Sequence, residues 1–124
     1  MNIENILKDT SKRIHMIGIG GVSMSGIADI LLNMGFKVSG SDMNRSTVTD
    51  RLEKQGINVV IGHFAENVHS SDIVVYTAAI KPDNSEIVEA KNLGLELIER
   101  SDFLGAMTHL YENTIANIAI IIPI

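Results

Sequence analysis

The sequence predicts an α/β fold, a Rossmann-like doubly wound parallel sheet forming a single three-layer domain. Three observations carry this. Strand and helix signals alternate along the chain, the helices about ten residues long. The strands place Ile and Val at consecutive positions, as strands covered on both faces require. Between the first strand and the first long helix lies a glycine-rich turn, "GIGGVSMSG" (18–26), where sheets of this class bind ligands. Right-handed crossovers then wind the sheet outward in both directions.

The elements follow in order. Residues 3–9 read as a short amphipathic helix with Ile3, Ile6 and Leu7 on one face. "RIHMIGI" (13–19) is the first strand, and "SMSGIADILLNMG" (23–35) a helix ended by Gly35. "KVSGSD" (37–42) is the second strand. A helix over 46–55 is opened by Ser46 or Thr47 and closed by Gly56. "INVVIG" (57–62) and "DIVVYTA" (72–78) are the third and fourth strands. A helix over 84–93 precedes the strand "LELIE" (95–99), a helix covers 102–111, and the apolar "NIAIIIPI" (117–124) ends the chain.

Composition narrows the function. The 124 residues suit one domain, 1–124, and the 4% aromatic content leaves the core to aliphatic side chains. A net charge of −5 argues against a nucleic-acid partner, which needs a basic stripe. It does not exclude one small anion, which backbone amides can hold locally. There are no cysteines, hence no disulfides, thiolate metal sites or cysteine nucleophiles, and a reducing cytoplasm is the expected location. No apolar run approaches the roughly 20 residues that span a bilayer, and the N-terminus lacks a secretory pattern, so no membrane partner is expected. His15, His69 and His109 have no ligand-like spacing, and no metal site is expected.

Four glycines fall within nine residues of the strand-to-helix turn: Gly18, Gly20, Gly21 and Gly26. Such a turn needs residues that accept unusual dihedrals, and a diphosphate nearing the helix N-terminus needs Cβ atoms out of its way. Gly20 and Gly21 are the candidates for close approach, and Ser23 and Ser25 either donate hydroxyls or cap the helix. Against G-x-G-x-x-G, Gly18 and Gly20 fit, but the third position falls on Ser23. The departure weakens an ordinary dinucleotide reading and leaves a nucleotide site of another kind. The plainer alternative is that the glycines serve only a tight turn. Asp42 ends the second strand about twenty residues after Gly21, the spacing of a ribose-binding acid. The alternative there is a helix-capping or solvated aspartate.

Taken together, "GIGGVSMSGIADILLNMGFKVSGSD", "VTDRLEKQGINVVIGHFAENV" and "DIVVYTAAIKPDNSEIVEAKNLG" resemble the N-terminal domain of the Mur ligases of peptidoglycan synthesis. The likeness covers about residues 12–119 and is nearest to the branch that adds L-alanine to UDP-N-acetylmuramate. It implies a three-domain enzyme whose first domain binds the UDP-sugar, whose central domain binds ATP, and whose third receives the amino acid. ATP, assisted by magnesium, phosphorylates the muramate carboxylate, and the alanine amine attacks the acyl phosphate. It further implies that Gly18, Gly20, Gly21, Val22, Ser23 and Met24 cradle the diphosphate of UDP-N-acetylmuramate. Asp42, Met43 and Asn44 would lie at the uridine, and Thr77, Ala78, Ala79 and Ile80 would line the same nucleotide. Members often carry a second hydroxyl where this chain has Ala78. His63 and Lys81 are further candidates, each with a plainer alternative, a loop-capping histidine and a solvated charge.

No G-x-x-G-K-[ST] motif lies within these 124 residues, so this chain alone is expected not to ligate, ATP and magnesium belonging to the full-length parent. "NIAI" reads as the beginning of a strand, and the apolar tail is expected to add to the sheet edge or to associate with a second copy. Two other functions fit the pattern less closely: a standalone regulatory nucleotide-binding domain and a domain of an NAD-dependent oxidoreductase.

Overall fold

The computed structural model describes residues 2–118, with side chains through residue 110. The elements are α1 (Ile3–Leu7), β1 (Arg13–Ile17), α2 (Val22–Asn33), β2 (Lys37–Asp42), α3 (Thr47–Lys54), β3 (Asn58–Ile61), a 3-10 turn at Ala65–Val68, β4 (Ile73–Tyr76), α4 (Ser85–Asn92), β5 (Glu96–Glu99) and α5 (Arg100–Ile118).

The strands form one parallel sheet in the order β3-β2-β1-β4-β5. From β1 the chain steps outward through β2 to β3, returns to the far side of β1 as β4, and ends at β5. The strand order therefore reverses between β1 and β4, and a crevice opens at their carboxyl ends. Expectation and structure agree on this architecture.

Alternation along β1 divides the core between the two faces. Ile14 and Met16 join Met24, Ile27, Ala28 and Leu31 of α2, Leu52 of α3, and Phe103 and Met107 of α5. Ile17, on the other face, packs with Val68, Val74 and the α4 residues Ile87 and Ala90. His15 shares that second face, since side chains two apart in a strand point the same way.

Local chemistry sets several boundaries. Ser46 caps α3 through a reciprocal box: its hydroxyl accepts from the Thr49 amide at 3.2 Å, and the Thr49 hydroxyl accepts from the Ser46 amide at 2.8 Å. Asn84 caps α4, its side chain accepting from the amides of Glu86 and Ile87. The turn at Ala65–Val68 falls in a stretch that showed no helical period.

Several elements are a residue or two shorter than expected, and the last helix differs most. The last helix starts at Arg100, directly after β5, and runs to Ile118, past the expected 102–111. Residues 106–118 contain neither glycine nor proline, so nothing in that stretch stops a helix. Asn117 and Ile118 thus extend the helix and do not begin a strand. Residues 119–124, with the pairing expected of the apolar tail, lie outside the described residues.

Ile19 seats the glycine turn on the sheet. Its side chain is fully buried and lies over Gly40 of β2, where an added Cβ would come within 2.5 Å of Ile19 Cδ1. Gly40→Ala should therefore lower the free energy of unfolding by about 1–3 kcal/mol, the usual cost of overpacking, measured by urea denaturation. An unchanged midpoint would show that Ile19 yields freely.

Candidate functional site

The glycine turn spends its first amides internally. The N–H groups of Gly18 and Ile19 donate to the Ser41 carbonyl at 2.8 and 3.0 Å, and Gly21 N–H donates to the Gly18 carbonyl at 3.1 Å. Gly18 itself has φ +83°, a dihedral that a side chain would strain. Gly20 N–H donates to Asp42 Oδ2 at 2.9 Å, and a Cβ on Gly20 would lie 2.8 Å from that oxygen and 3.1 Å from Thr49 Cγ2. The bareness of Gly20 thus serves the approach of Asp42.

Gly21 is different. Its φ is −66°, open to any residue, and an added Cβ would meet nothing closer than the Gly18 carbonyl at 3.5 Å. Nothing inside the protein demands glycine there. It is the N-cap of α2, makes no side-chain cap, and its carbonyl accepts the first helical bond, from Ser25 N–H at 2.8 Å. The amides of Val22, Ser23 and Met24 are left with no acceptor among the described residues. These are the orphan donors of a helix start, carrying its positive dipole end.

The surroundings are open. Gly21, Val22 and Ser23 are exposed, Val22 to 92%. Ser23 Oγ accepts from the Arg100 guanidinium at 3.1 Å, which brings a permanent cation from the start of α5 to the α2 N-terminus. Met24 corrects part of the expectation: its side chain is buried in the core, so only its amide belongs to the loop.

The remaining predicted residues are placed around this turn. Asp42 is half-buried, with Oδ2 taken by Gly20 N–H and Oδ1 accepting from Asn44 N–H at 3.3 Å, while Met43 and Asn44 are exposed. The 77–80 segment closes a turn through Ile80 N–H to the Thr77 carbonyl, and Ile80 Cδ1 lies 3.9 Å from where a Gly18 Cβ would stand. That contact brings the loop after β4 onto the glycine turn. Thr77 is half-buried, and Ala78, Ala79 and Lys81 are exposed. An open depression at the amino edge of the sheet, lined by Arg13, Lys37, Val38, Ser39, Ser70 and Ser71, involves none of these residues.

His63 connects to the turn through a buried polar cluster. Glu86 of α4 is wholly buried, and its Oε1 accepts from His15 Nε2 at 2.5 Å and from Ser41 Oγ at 2.9 Å. Its Oε2 accepts from His63 Nδ1 and Asn67 Nδ2, both at 3.1 Å. Ser41 is the residue whose carbonyl receives the first two loop amides. Burial alone would raise the Glu86 pKa, but the hydrogen bond and charge of His15, with the bonds from Asn67 and Ser41, hold it below its ordinary 4.5. The other histidines also face carboxylates, His69 against Glu89 and His109 against Glu4.

With this geometry in view, the comparisons are decisive. Residues 13–112 match the family described as Mur ligase family, catalytic domain. The chain belongs to the Mur ligase family. It is 52% identical over 112 residues to the UDP-N-acetylmuramate–L-alanine ligase of Clostridium botulinum, covering 90% of this chain and 24% of that protein. Among solved structures it resembles the UDP-N-acetylmuramate-alanine ligase of Thermotoga maritima, with TM-score 0.73 and 34% identity over 75% of this chain and 22% of that one. It also resembles the UDP-N-acetylmuramate:L-alanyl-gamma-D-glutamyl-meso-diaminopimelate ligase of Neisseria, with TM-score 0.67 and 35% identity over 73% of this chain and 29% of that one. The chain thus spans about a quarter of the length of the curated relatives it matches.

In this Mur ligase chain, sequence reasoning overlooked Arg100, Glu86 and Asn67. Arg100 directly follows a strand, at the carboxyl edge where ligands bind, and that position was a usable signal. Glu86 carried none, because an acid in the first turn of a helix is ordinarily a solvated dipole partner.

Glu86 ionises more readily folded than unfolded, so its contribution to stability is complete above pH 4.5 and is lost as pH falls through its lower folded value. Glu86→Gln should be less stable at neutral pH and show a flatter fall in melting temperature between about pH 5 and pH 3. Parallel wild-type and variant curves over that range would remove Glu86 from the acid response.

Proposed function

We propose that this chain binds UDP-N-acetylmuramate for a Mur ligase that joins L-alanine to it. One observation supports this above the others. Three amides at the start of α2 lack acceptors, and the guanidinium of Arg100 stands beside them. That combination suits two linked phosphates: the amides supply directed donors, the helix end adds about 0.3–1 kcal/mol of favourable field, and arginine supplies a fixed charge. The choice of nucleotide sugar comes from the relatives, whose names specify it.

In this reading Gly21, Val22, Ser23 and Met24 hold the diphosphate through their backbone. Gly18 and Gly20 shape the turn from within. Asp42 faces the uridine with Met43 and Asn44. Each of its oxygens keeps a second lone pair, enough to accept from a ribose hydroxyl while still holding the loop. Thr77, Ala78, Ala79 and Ile80 form the opposite wall, with His63 and Lys81 at its margins. Residues 1–124 act as one substrate-binding domain.

The ligase reaction also needs ATP and magnesium in this family. The described residues do not fit either group: they hold no cluster of three acidic or histidine side chains able to bind a metal, and the 124 residues contain no G-x-x-G-K-[ST] loop. In this reading acyl-phosphate formation and attack by alanine belong to other parts of a full-length enzyme. This chain contributes binding and orientation of the sugar nucleotide.

Calorimetry should show this chain binding UDP-N-acetylmuramate in preference to NAD, and tighter binding of NAD would overturn the reading. Gly21→Val tests the loop, since the protein itself tolerates a side chain there. Affinity should fall about a hundredfold or more, each tenfold being about 1.4 kcal/mol, while the folded variant melts only modestly lower, valine being a weaker helix cap than glycine. A folded variant that binds like wild type would move the diphosphate elsewhere.

A further inference from the structure

The buried cluster holds information about His63 that the ligand reading does not use. Around Nδ1 stand two atoms, Ser41 Oγ at 3.0 Å and Glu86 Oε2 at 3.1 Å. The Ser41 hydroxyl has a single proton, and it is donated to Glu86 Oε1 at 2.9 Å. Toward the histidine, then, the serine oxygen offers only lone pairs, as does the carboxylate. Both neighbours of Nδ1 are acceptors, so Nδ1 carries the proton.

The other ring nitrogen is thereby defined. In a neutral imidazole with Nδ1–H, Nε2 has a lone pair and no proton. It has no partner among the described residues, and no buried side-chain nitrogen or oxygen there lacks one, so Nε2 is reached from outside. The His63 side chain is 12% exposed, against 0% for Glu86. The ring is thus held by its inner edge and presents its outer edge at the end of the sheet that carries the glycine turn.

The hold on His63 comes from four parts of the chain. Glu86 is kept by the α4 cap, since Asn84 accepts from its amide at 2.9 Å. His15 on β1 and Ser41 on β2 fill Oε1, and Asn67 fills Oε2 while also donating to the Gly62 carbonyl at 3.3 Å. The Ser85 hydroxyl donates to the His63 carbonyl at 2.9 Å. Backbone and ring of His63 are therefore both fixed from α4.

We propose that Glu86 is a positioning residue that locks His63 as the Nδ1–H tautomer, so that Nε2 accepts a hydrogen bond from a hydroxyl or amide N–H of the bound UDP-sugar. This rests on the UDP-sugar reading and divides labour within it. The α2 amides and Arg100 supply donors, which suit phosphate oxygens. His63 supplies an acceptor, which phosphate oxygens cannot use, and so selects the sugar or nucleoside part of the ligand.

The test has one arm without ligand and one with it. Long-range proton–nitrogen NMR of the labelled 124-residue chain, at about pH 8 where an ordinary imidazole is neutral, should show His63 as the Nδ1–H tautomer. In Glu86→Gln that preference should shift toward a mixture. A wild-type His63 carrying its proton on Nε2 would overturn the proposal whether or not any ligand binds. On adding UDP-N-acetylmuramate to wild type, His63 should stay neutral. Protonation of both nitrogens would mean that it meets a phosphate, and would also overturn the proposal.

His63→Asn keeps an inward amide donor for Glu86 and takes away the acceptor at the Nε2 position, its carbonyl oxygen ending nearer the backbone. It should melt close to wild type and lose about tenfold in affinity, the worth of one hydrogen bond. Unchanged affinity in that folded variant would sink the role given to Nε2. If wild type fails to bind UDP-N-acetylmuramate, the functional reading fails and with it the acceptor role, while the tautomer arm still decides the lock.

Discussion

A single buried carboxylate ties the carboxyl edge of this sheet together. Taking a charge out of water costs several kcal/mol unless partners replace the lost hydration. Glu86 has four such partners, drawn from β1, β2 and the segment that follows β3. The arrangement is demanding in a useful sense. If β1 or β2 slipped by one residue, His15 or Ser41 would turn to the opposite face and leave the charge exposed to apolar surroundings. The register in which Ile17 lies beside Ser41 is thus reinforced by polar as well as apolar contacts. That same Ser41 receives two amides of the glycine turn, so the buried charge and the open loop share one strand residue.

The loop itself divides at Gly21. Before it, every amide from Gly18 onward is used within the protein, and glycine is required by geometry or by the closeness of Asp42. From Val22 to Met24 the amides have no acceptor among the described residues, and a Cβ on Gly21 would meet nothing closer than 3.5 Å. A turn built only for tightness would have no reason to stop short in this way, because a serine or aspartate at the cap would stabilise the helix by a few tenths of a kcal/mol over glycine. Gly21 forgoes that stabilisation. The loss is intelligible where a ligand occupies the cap position.

The alternation of elements was legible because it depends on local signals that lie close together in the chain. Ser46, Asn84 and Gly35 stand where helices begin or end, and Ile–Val runs mark strands covered on both sides. The glycine turn was legible as a strand-to-helix turn because its glycines follow an apolar run and precede a helical period. What stayed hidden was what distant residues do to one another. His15 and Glu86 are 71 positions apart, and Arg100 and Ser23 are 77 apart. No periodicity encodes such pairs, which exist only once the sheet order is set. Gly20 shows the same limit. Its absent side chain was read as room for phosphate, whereas the space is taken by Asp42, brought there by β2. The extent of α5 was missed for the opposite reason: the apolar residues near its end suit a strand, but no residue in 106–118 breaks the helix.

Ser23 clarifies how this chain departs from a dinucleotide fingerprint. The third glycine of that pattern lets the helix pack closely on its strand. Here a serine takes the position, exposed, with its hydroxyl bonded to Arg100. A glycine could not hold that guanidinium. Packing of α2 is instead secured by Met24, Ile27, Ala28 and Leu31, all buried on the sheet. The substitution therefore exchanges a packing function that other residues supply for a polar contact that draws a cation to the helix start. Under the diphosphate reading proposed above, that exchange suits an anion more heavily charged than the helix dipole alone would hold, and it separates this loop chemically from the glycine-only turns it otherwise resembles.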